Sequence, residues 1–422
     1  MTRTEASLYW FTWVILLAIL VGGAIYQGPA DALEGLLEIQ LHSARLVNDF
    51  SLIGGSGAAM MNASLVAIIG LLLLAANKIS ISGPSLAAVY TMLGFGLFGK
   101  TPVNILPVIL GVYIAARTSG RGFNQYILIA LFGTALAPVV STIAVELLPG
   151  TPLSWTLAVV GGALLGLLLP AVAMVTLRFH QGFSLYNIGL ASGFLALFAA
   201  ALFLGAGGQL AGTLIWNEEP GLALELLIPL LSLVLIGAGL LGGPAKRARE
   251  VLSIFRLGGR LPSDFMDMAT PGATLINMGL LGTMCWLYVL LVGAPLNGPV
   301  LGGILTVVGF GAFGKHPVNC LPVMGGIVGA TLFFGVDLVS PGAILALLFG
   351  TTLAPMAGEF GFVVGLVAGF VHFLMVHQTG AWHGGMTLYN NGFAGGLTAT
   401  LLAAFFEWRS QTMKKPEAEE KR

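Results

Sequence analysis

One eleven-residue string occurs twice in this chain: Gly94-Phe-Gly-Leu-Phe-Gly-Lys100-Thr-Pro102-Val-Asn104, then, 215 positions on, Gly309-Phe-Gly-Ala-Phe-Gly-Lys315-His-Pro317-Val-Asn319. The same shift aligns Gly28-Pro29-Ala30 with Gly243-Pro244-Ala245, Asp49-Phe50 with Asp264-Phe265, and Asn62 with Asn277. It also aligns Gly83-Pro84 with Gly298-Pro299 and Leu106-Pro107 with Leu321-Pro322. After a two-residue slip, Leu131-Phe-Gly-Thr-Ala-Leu-Ala-Pro138 matches Leu348-Phe-Gly-Thr-Thr-Leu-Ala-Pro355. After a deletion, His180 to Asn187 matches His383 to Asn390. A chain with this internal period is expected to fold as two copies of one unit. The expected division is a first repeat over 1–207, a connecting loop over 208–220, a second repeat over 221–406 that includes a linker at 243–267, and a disordered tail over 407–422.

The solvent of these units follows from composition. With 57% hydrophobic and 9% charged residues and a mean hydropathy of +0.94, the 422-residue chain cannot present a soluble surface. Apolar runs recur from Leu8 to Phe406, too long for the alternating strands of an outer-membrane barrel, so an all-α polytopic membrane protein is expected. Leu8 to Tyr26 lacks a small-residue cleavage site and reads as a retained first helix. The composition gives no basis for nucleic-acid binding. No P-loop or cofactor motif is present. Cys285 and Cys320 both lie in apolar segments, which supports neither a disulfide framework nor a thiolate metal site.

Charge orients the halves. The loop after the first apolar run carries Asp31, Glu34 and Glu38 with Arg45 as its basic residue, whereas its counterpart carries Lys246, Arg247, Arg249, Arg256 and Arg260. Lys and Arg near span ends favour the cytoplasm while acidic residues weigh little. Equivalent loops are therefore expected on opposite sides, with the repeats inverted. With both termini cytoplasmic, every Lys and Arg falls on the inner side except Arg45, Lys100 and Lys315.

Each half is expected to hold about five spans plus one broken element. In the first half the spans lie near 8–27, 53–76, 124–147, 154–177 and 184–206. The broken element covers about 83–116 and is split by Gly99-Lys100-Thr101-Pro102. Its arms are short of the ~20 residues a straight span needs, so a re-entrant hairpin is expected; two short tilted spans would give the same parity. Pro102 and Pro317 suit a helix start with amides pointing at the tip. A lysine at membrane depth costs roughly 2.5–3.5 kcal/mol on translocon scales and marks a functional candidate. If both hairpins enter from opposite faces, the tips meet near the midplane. Lys100, Lys315, Gly99, Gly314, Thr101, His316, Asn104, Asn319, Asn62 and Asn277 are then the expected substrate-binding residues. The lysines could instead answer carboxylates such as Asp49, Asp264 or Glu359, or snorkel from short spans. His180, Tyr186, Asn187, His383, Tyr389 and Asn390 are expected as a gate or proton relay, or more plainly as caps of the last spans.

Other signals carry less. Gly54-Gly55-Ser56-Gly57 is spelled like an intramembrane serine-protease motif, but its counterpart Thr270-Pro271-Gly272 carries no such spelling. His372, His377 and His383 do not match a zinc pattern. The basic linker Lys246 to Arg260 reads as a topogenic loop or a surface amphipathic helix.

The paired Gly-Phe-Gly-x-Phe-Gly-Lys-x-Pro-Val-Asn elements, with the two halves and the chain length, resemble an uncharacterised family of bacterial multipass membrane proteins classed as a domain of unknown function. That resemblance implies a bacterial inner-membrane protein and transfers no substrate. The Leu-Tyr-Asn-x-Gly elements at Leu185 to Gly189 and Leu388 to Gly392 are similar to segments of urea channels, but the motif order differs and nothing carries over. The expected function is a secondary transporter, not an enzyme, moving a small anionic solute by alternating access. A coupling ion (proton or sodium) and a homo-oligomeric state are compatible with that expectation. A passive channel or a structural subunit of a larger membrane complex are the rival classes.

Overall fold

Three of the repeated proline pairs sit in the first turn of a helix, where the missing N–H costs nothing because that amide has no intrahelical partner, whereas Pro107 and Pro322 lie inside a helix. Pro29 and Pro244, Pro84 and Pro299, and Pro102 and Pro317 therefore mark equivalent helix starts in the two halves. The computed structural model describes residues 3–210, 212–241 and 243–413, and apart from connections and isolated β-bridges these residues are helical.

The elements pair one for one. The first repeat comprises α1 (Arg3–Gln27), α2 (Pro29–Leu41), α3 (Phe50–Ile53), α4 (Ser56–Ala76), α5 (Gly83–Phe95), α6 (Pro102–Thr118), α7 (Ile127–Leu147), α8 (Pro152–His180) and α9 (Asn187–Gly205). The second comprises α10 (Leu222–Leu240), α11 (Pro244–Ile254), α12 (Phe265–Met268), α13 (Pro271–Val292), α14 (Gly298–Phe310), α15 (Pro317–Phe333), α16 (Pro341–Phe360), α17 (Phe362–Trp382) and α18 (Asn390–Met413). Among the described residues, nine of these helices are long and apolar enough to cross a membrane. The chain is thus an all-α multipass membrane protein with two repeats.

Two segments differ from the sequence expectation, and a third decides between alternatives. The loop at 28–52 holds α2, which buries Ala32, Gly35 and Ile39; it was hidden because a short surface helix with one apolar edge has the composition of a polar loop. The linker at 243–267 holds α11, in line with the amphipathic-helix reading, and its Val251 and Ile254 pack with Phe265, Ala273 and Ile276. Residues 407–413, expected to begin a disordered tail, continue α18, with Gln181 Nε2 donating to Glu407 Oε2 at 2.8 Å. The remainder of that expected tail, 414–422, lies outside the described residues.

α7 and α16 are interrupted at the repeated Leu-Phe-Gly-Thr-x-Leu-Ala-Pro element, where 3-10 turns run over Thr134–Leu136 and Thr351–Leu353. Pro138 and Pro355 have no N–H to return to the carbonyl three residues back, so Ala135 O and Thr352 O are left free. The other repeat supplies their donors: Leu388 N bonds Ala135 O at 2.9 Å and Leu185 N bonds Thr352 O at 3.0 Å.

The most extensive packing between the repeats is that of α5 with α14 and of α9 with α18, with smaller contacts of α8 with α18, α4 with α10 and α5 with α12. α5 runs antiparallel to α14, crossing it where the backbones of Gly94 and Gly302 touch; a Cβ on either would sit within 2.7 Å of the other's carbonyl oxygen. The start of α5 at Gly83 lies beside Ala312, and the start of α14 at Gly298 beside Leu97. α9 and α18 meet through Gly189 and Gly392. The arms α5 and α6, of 13 and 17 residues, do not pack along each other; both contact α4 and α7.

Candidate functional site

The repeated string folds into the turn between the two arms, and its polar side chains hold that turn closed. Asn62 Nδ2 on α4 donates to Gly96 O (2.6 Å) and Lys100 O (2.8 Å); Asn277 Nδ2 on α13 donates to Gly311 O (2.7 Å) and Lys315 O (2.8 Å). Thr101 Oγ1 accepts from Asn104 N, while Asn104 Oδ1 accepts from Thr101 N (2.8 Å) and its Nδ2 reaches Gly99 O (3.0 Å). His316 and Asn319 repeat this box, with Asn319 Nδ2 on Gly314 O at 2.9 Å. Gly314 has φ +97°, and a side chain at Gly99 would run into Leu388.

Asn62, Asn277, Asn104, Asn319, Thr101 and His316 brace the turn, and at the second arm's start the amides of Asn104 and Asn319 are capped by Thr101 and His316. The two turns, expected to converge, do not meet. A Cβ at Gly298 would lie 2.6 Å from Leu97 O, and one at Gly83 would run into Ala312 O, which puts each turn at the beginning of the opposite repeat's first arm. Along the 13-residue α5 that separation is about 20 Å at 1.5 Å per residue. Sequence located the two broken elements but not that α5 and α14 lie alongside each other.

Lys100 and Lys315 are fully buried. Lys100 Nζ donates to Tyr389 Oη at 2.7 Å and lies 5.2 Å from the centroid of Phe95. Lys315 Nζ donates to Tyr186 Oη and, at 2.8 Å, to Thr351 Oγ1, and lies 5.2 Å from the centroid of Phe310. Among the described residues no carboxylate lies within 4.0 Å of either ammonium. Asp49 and Asp264 have another task. Asp49 Oδ2 accepts from Gly298 N (3.3 Å) and Asp264 Oδ1 from Gly83 N (2.9 Å), so each carboxylate caps the first arm of the other repeat. Snorkelling is also excluded for both lysines by their complete burial.

Between the repeats lies a cavity of about 380 Å³. Most of its wall comes in equivalent pairs, Thr91 and Thr306, Phe95 and Phe310, Phe132 and Phe349, Leu185 and Leu388, Tyr186 and Tyr389, and, with different side chains, Ile188 and Asn391, whereas Leu128 and Asn187 line it without their counterparts. Its mouth does not come in pairs. Pro84, Leu261, Pro262, Asp264 and Phe313 line it, whereas of their counterparts Pro299, Asp49 and Phe98 are buried and Leu46 and Val47 are half-buried. The cavity therefore reaches the 243–267 linker, and none of its lining residues comes from the equivalent segment 28–52.

Of the expected residues, Tyr186, Asn187 and Tyr389 line the cavity; the lysines stand behind the tyrosines. His180 Nε2 meets Asn187 Oδ1 at 3.0 Å, and Asn187 Nδ2 donates to Ala173 O at 3.0 Å; His383, Asn390 and Val376 O repeat this at 3.1 Å for each contact. These His–Asn pairs tie the start of each last helix to the helix before it. The phenylalanines of the cavity were missed, although their signal was present: Phe95 and Phe310 belong to the repeated string, and Phe132 and Phe349 to the repeated Leu-Phe-Gly-Thr element.

The family described as protein of unknown function (DUF1576) matches residues 29–204 and 244–408, one segment in each repeat, and the chain belongs to it. Searches of curated proteins and of solved structures returned no match.

Proposed function

We propose that this DUF1576 protein is a secondary transporter that carries a small anionic solute across the bacterial inner membrane by alternating access at the interface of its two repeats. The observation that carries the reading is the cavity: a largely paired wall that reaches the linker segment of one repeat and not the equivalent segment of the other. If the repeats are inverted, exchanging their conformations would close the mouth at Asp264 and Phe313 and open one at Asp49 and Phe98, leaving the paired wall in place. Several contacts support inversion. Tyr26, at the end of α1, lies beside Gly221, which precedes α10, and Ser56 Oγ at the start of α4 donates to Pro220 O at 2.6 Å. Equivalent helices α1 and α10 thus run from opposite ends of the bundle. The distribution of Lys and Arg then favours cytoplasmic termini and an inner mouth at the linker.

In this reading the lysines supply positive charge through the tyrosines that cover them, and the braced turns hold that charge in place. Gly99, Gly314 and the Asn, Thr and His braces position the site; the His–Asn pairs fix the last helices as they move. A proton or sodium gradient is the expected driving ion. The test is uptake into proteoliposomes with Lys100→Met and Lys315→Met beside the wild type. Saturable uptake lost in both variants supports the proposal. Unsaturable flux at channel rates would replace it with a pore, and unchanged uptake in the variants would remove the lysines from the mechanism.

A further inference from the structure

We infer that the exposed face of α11 docks on the headgroups of anionic phospholipids, in the leaflet that the 243–267 linker faces. This stands whether or not the cavity carries a solute. α11 begins at Pro244, shortly after α10 ends at Leu240, and its buried edge, Val251 and Ile254, packs with Phe265, Ala273 and Ile276. Ala273 and Ile276 belong to the first two turns of α13, so α11 lies against the end of a helix long and apolar enough to span. That is the level at which a surface helix meets lipid headgroups.

The face turned away from the buried edge carries two strips at helical spacing. Lys246, Arg249, Ser253 and Arg256 are exposed at i, i+3, i+7 and i+10, and beside them Ala248 and Leu252 form an exposed apolar strip. Among the described residues no carboxylate lies within 4.0 Å of Arg249 or Arg256, and Lys246 stands 4.0 Å from Glu250. The equivalent helix α2 separates position from charge. Shifted by 215 residues, it has the same buried edge, with Ile39 for Ile254, and the same exposed strip, with Leu33 and Leu37 for Ala248 and Leu252. Its charges are opposite: Asp31 and Glu34 stand where α11 has Lys246 and Arg249. Lying at the surface is thus a property of both repeats, whereas attraction to an anionic headgroup belongs to α11. Each Lys or Arg near such a surface adds about fivefold in affinity.

The test titrates detergent-purified protein with short-chain phosphatidylglycerol, phosphatidylcholine of the same chain length, and inorganic phosphate, read as thermal stabilisation. Wild type is expected to respond at about tenfold less phosphatidylglycerol than phosphatidylcholine, with the preference shrinking as salt is added. Lys246→Gln with Arg249→Gln and Arg256→Gln should remove the preference. Arg117→Gln with Arg121→Gln, which neutralises another exposed basic turn, should keep it. Charge that serves topology alone acts at insertion, so a purely topogenic linker predicts equal responses to the two lipids in detergent. That result would overturn the inference, as would equal stabilisation by phosphate, a preference surviving the triple variant, or one lost as fully from the Arg117 and Arg121 variant. Should the triple variant fail to fold, an environment-sensitive fluorophore on Leu252→Cys still decides, since Cys285 and Cys320 are buried. In vesicles containing phosphatidylglycerol it should emit as in an apolar medium, and emission as in water would overturn the docking.

Discussion

Lys100 donates to the hydroxyl of Tyr389 at 2.7 Å, and because these residues belong to different repeats, the buried cation of the first half is held by the second. Lys315 and Tyr186 complete the reciprocal pair. A cation placed this way links the turn of one repeat to the last helix of the other, across the cavity wall.

Charge and stability should therefore separate at these positions. Lys100→Met keeps the side-chain length and removes an ammonium that has no carboxylate partner, so thermal stability in detergent is expected to hold or rise. Tyr389→Phe leaves that ammonium short of its acceptor and should lower stability by about 1–3 kcal/mol. Unfolding curves of the two variants beside the wild type check the order.

The braces of the turns are expected to be structural. Asn277→Leu unpairs the buried carbonyls of Gly311 and Lys315 together, and a loss of about 2–3 kcal/mol is expected from two unsatisfied acceptors. Asn62→Leu should cost at least as much, since it removes the same two bonds in the first repeat and also the acceptor of Gln40 Nε2 at 3.0 Å. Denaturant midpoints of the two variants should fall together; a neutral result at either site would show that the turn does not depend on its asparagine.

The crossing of α5 and α14 leaves no room for a side chain. Gly302→Leu would drive a branched group into Phe98 and the Gly94 carbonyl, and overpacking of this kind costs about 1–3 kcal/mol. The expected readout is a lower melting temperature with reduced yield of monodisperse protein.

Asp49 lies in the connection between α2 and α3, where burial raises its carboxyl to about 6 in spite of amides from Ser51, Asn217 and Gly298. Its ordinary value is 3.8, so between these values the folded protein binds more protons than the unfolded chain, and stability falls as pH rises through that window. Above about pH 6 the contribution is level. Asp49→Asn has no such proton to lose. The wild-type midpoint relative to the variant should decline from about pH 4 to about pH 6 and then stay flat, measured by unfolding across that range.

Much of the fold could be read directly. Hydropathy marked the spans to within a few residues, and the repeated string and the repeated prolines located the broken elements, because helix starts and apolar length are local properties. What lay beyond reach was non-local. Nothing near Lys100 points to Tyr389 as its partner, and nothing in Gly94 or Gly302 alone says that they touch. The expectation of two converging turns failed for that reason: opposed arms can meet tip to tip or lie side by side, and the choice rests on packing between repeats. Tyr186, Tyr389 and Asn187 were found from their recurrence, but their place on a cavity wall depended on the freed carbonyls of Ala135 and Thr352 that draw the chain inward.

The exchange of mouths is the central claim, and accessibility at Phe98 and Phe313 tests it most directly. Cys285 and Cys320 are buried free thiols and give a quiet background. In sealed vesicles of known orientation, an impermeant maleimide should modify Phe313→Cys only from the face of the 243–267 linker, and Phe98→Cys only from the opposite face. Modification of both from one face would contradict inversion, and a Phe98→Cys that never reacts while Phe313→Cys does would leave a fixed pocket in place of a transporter.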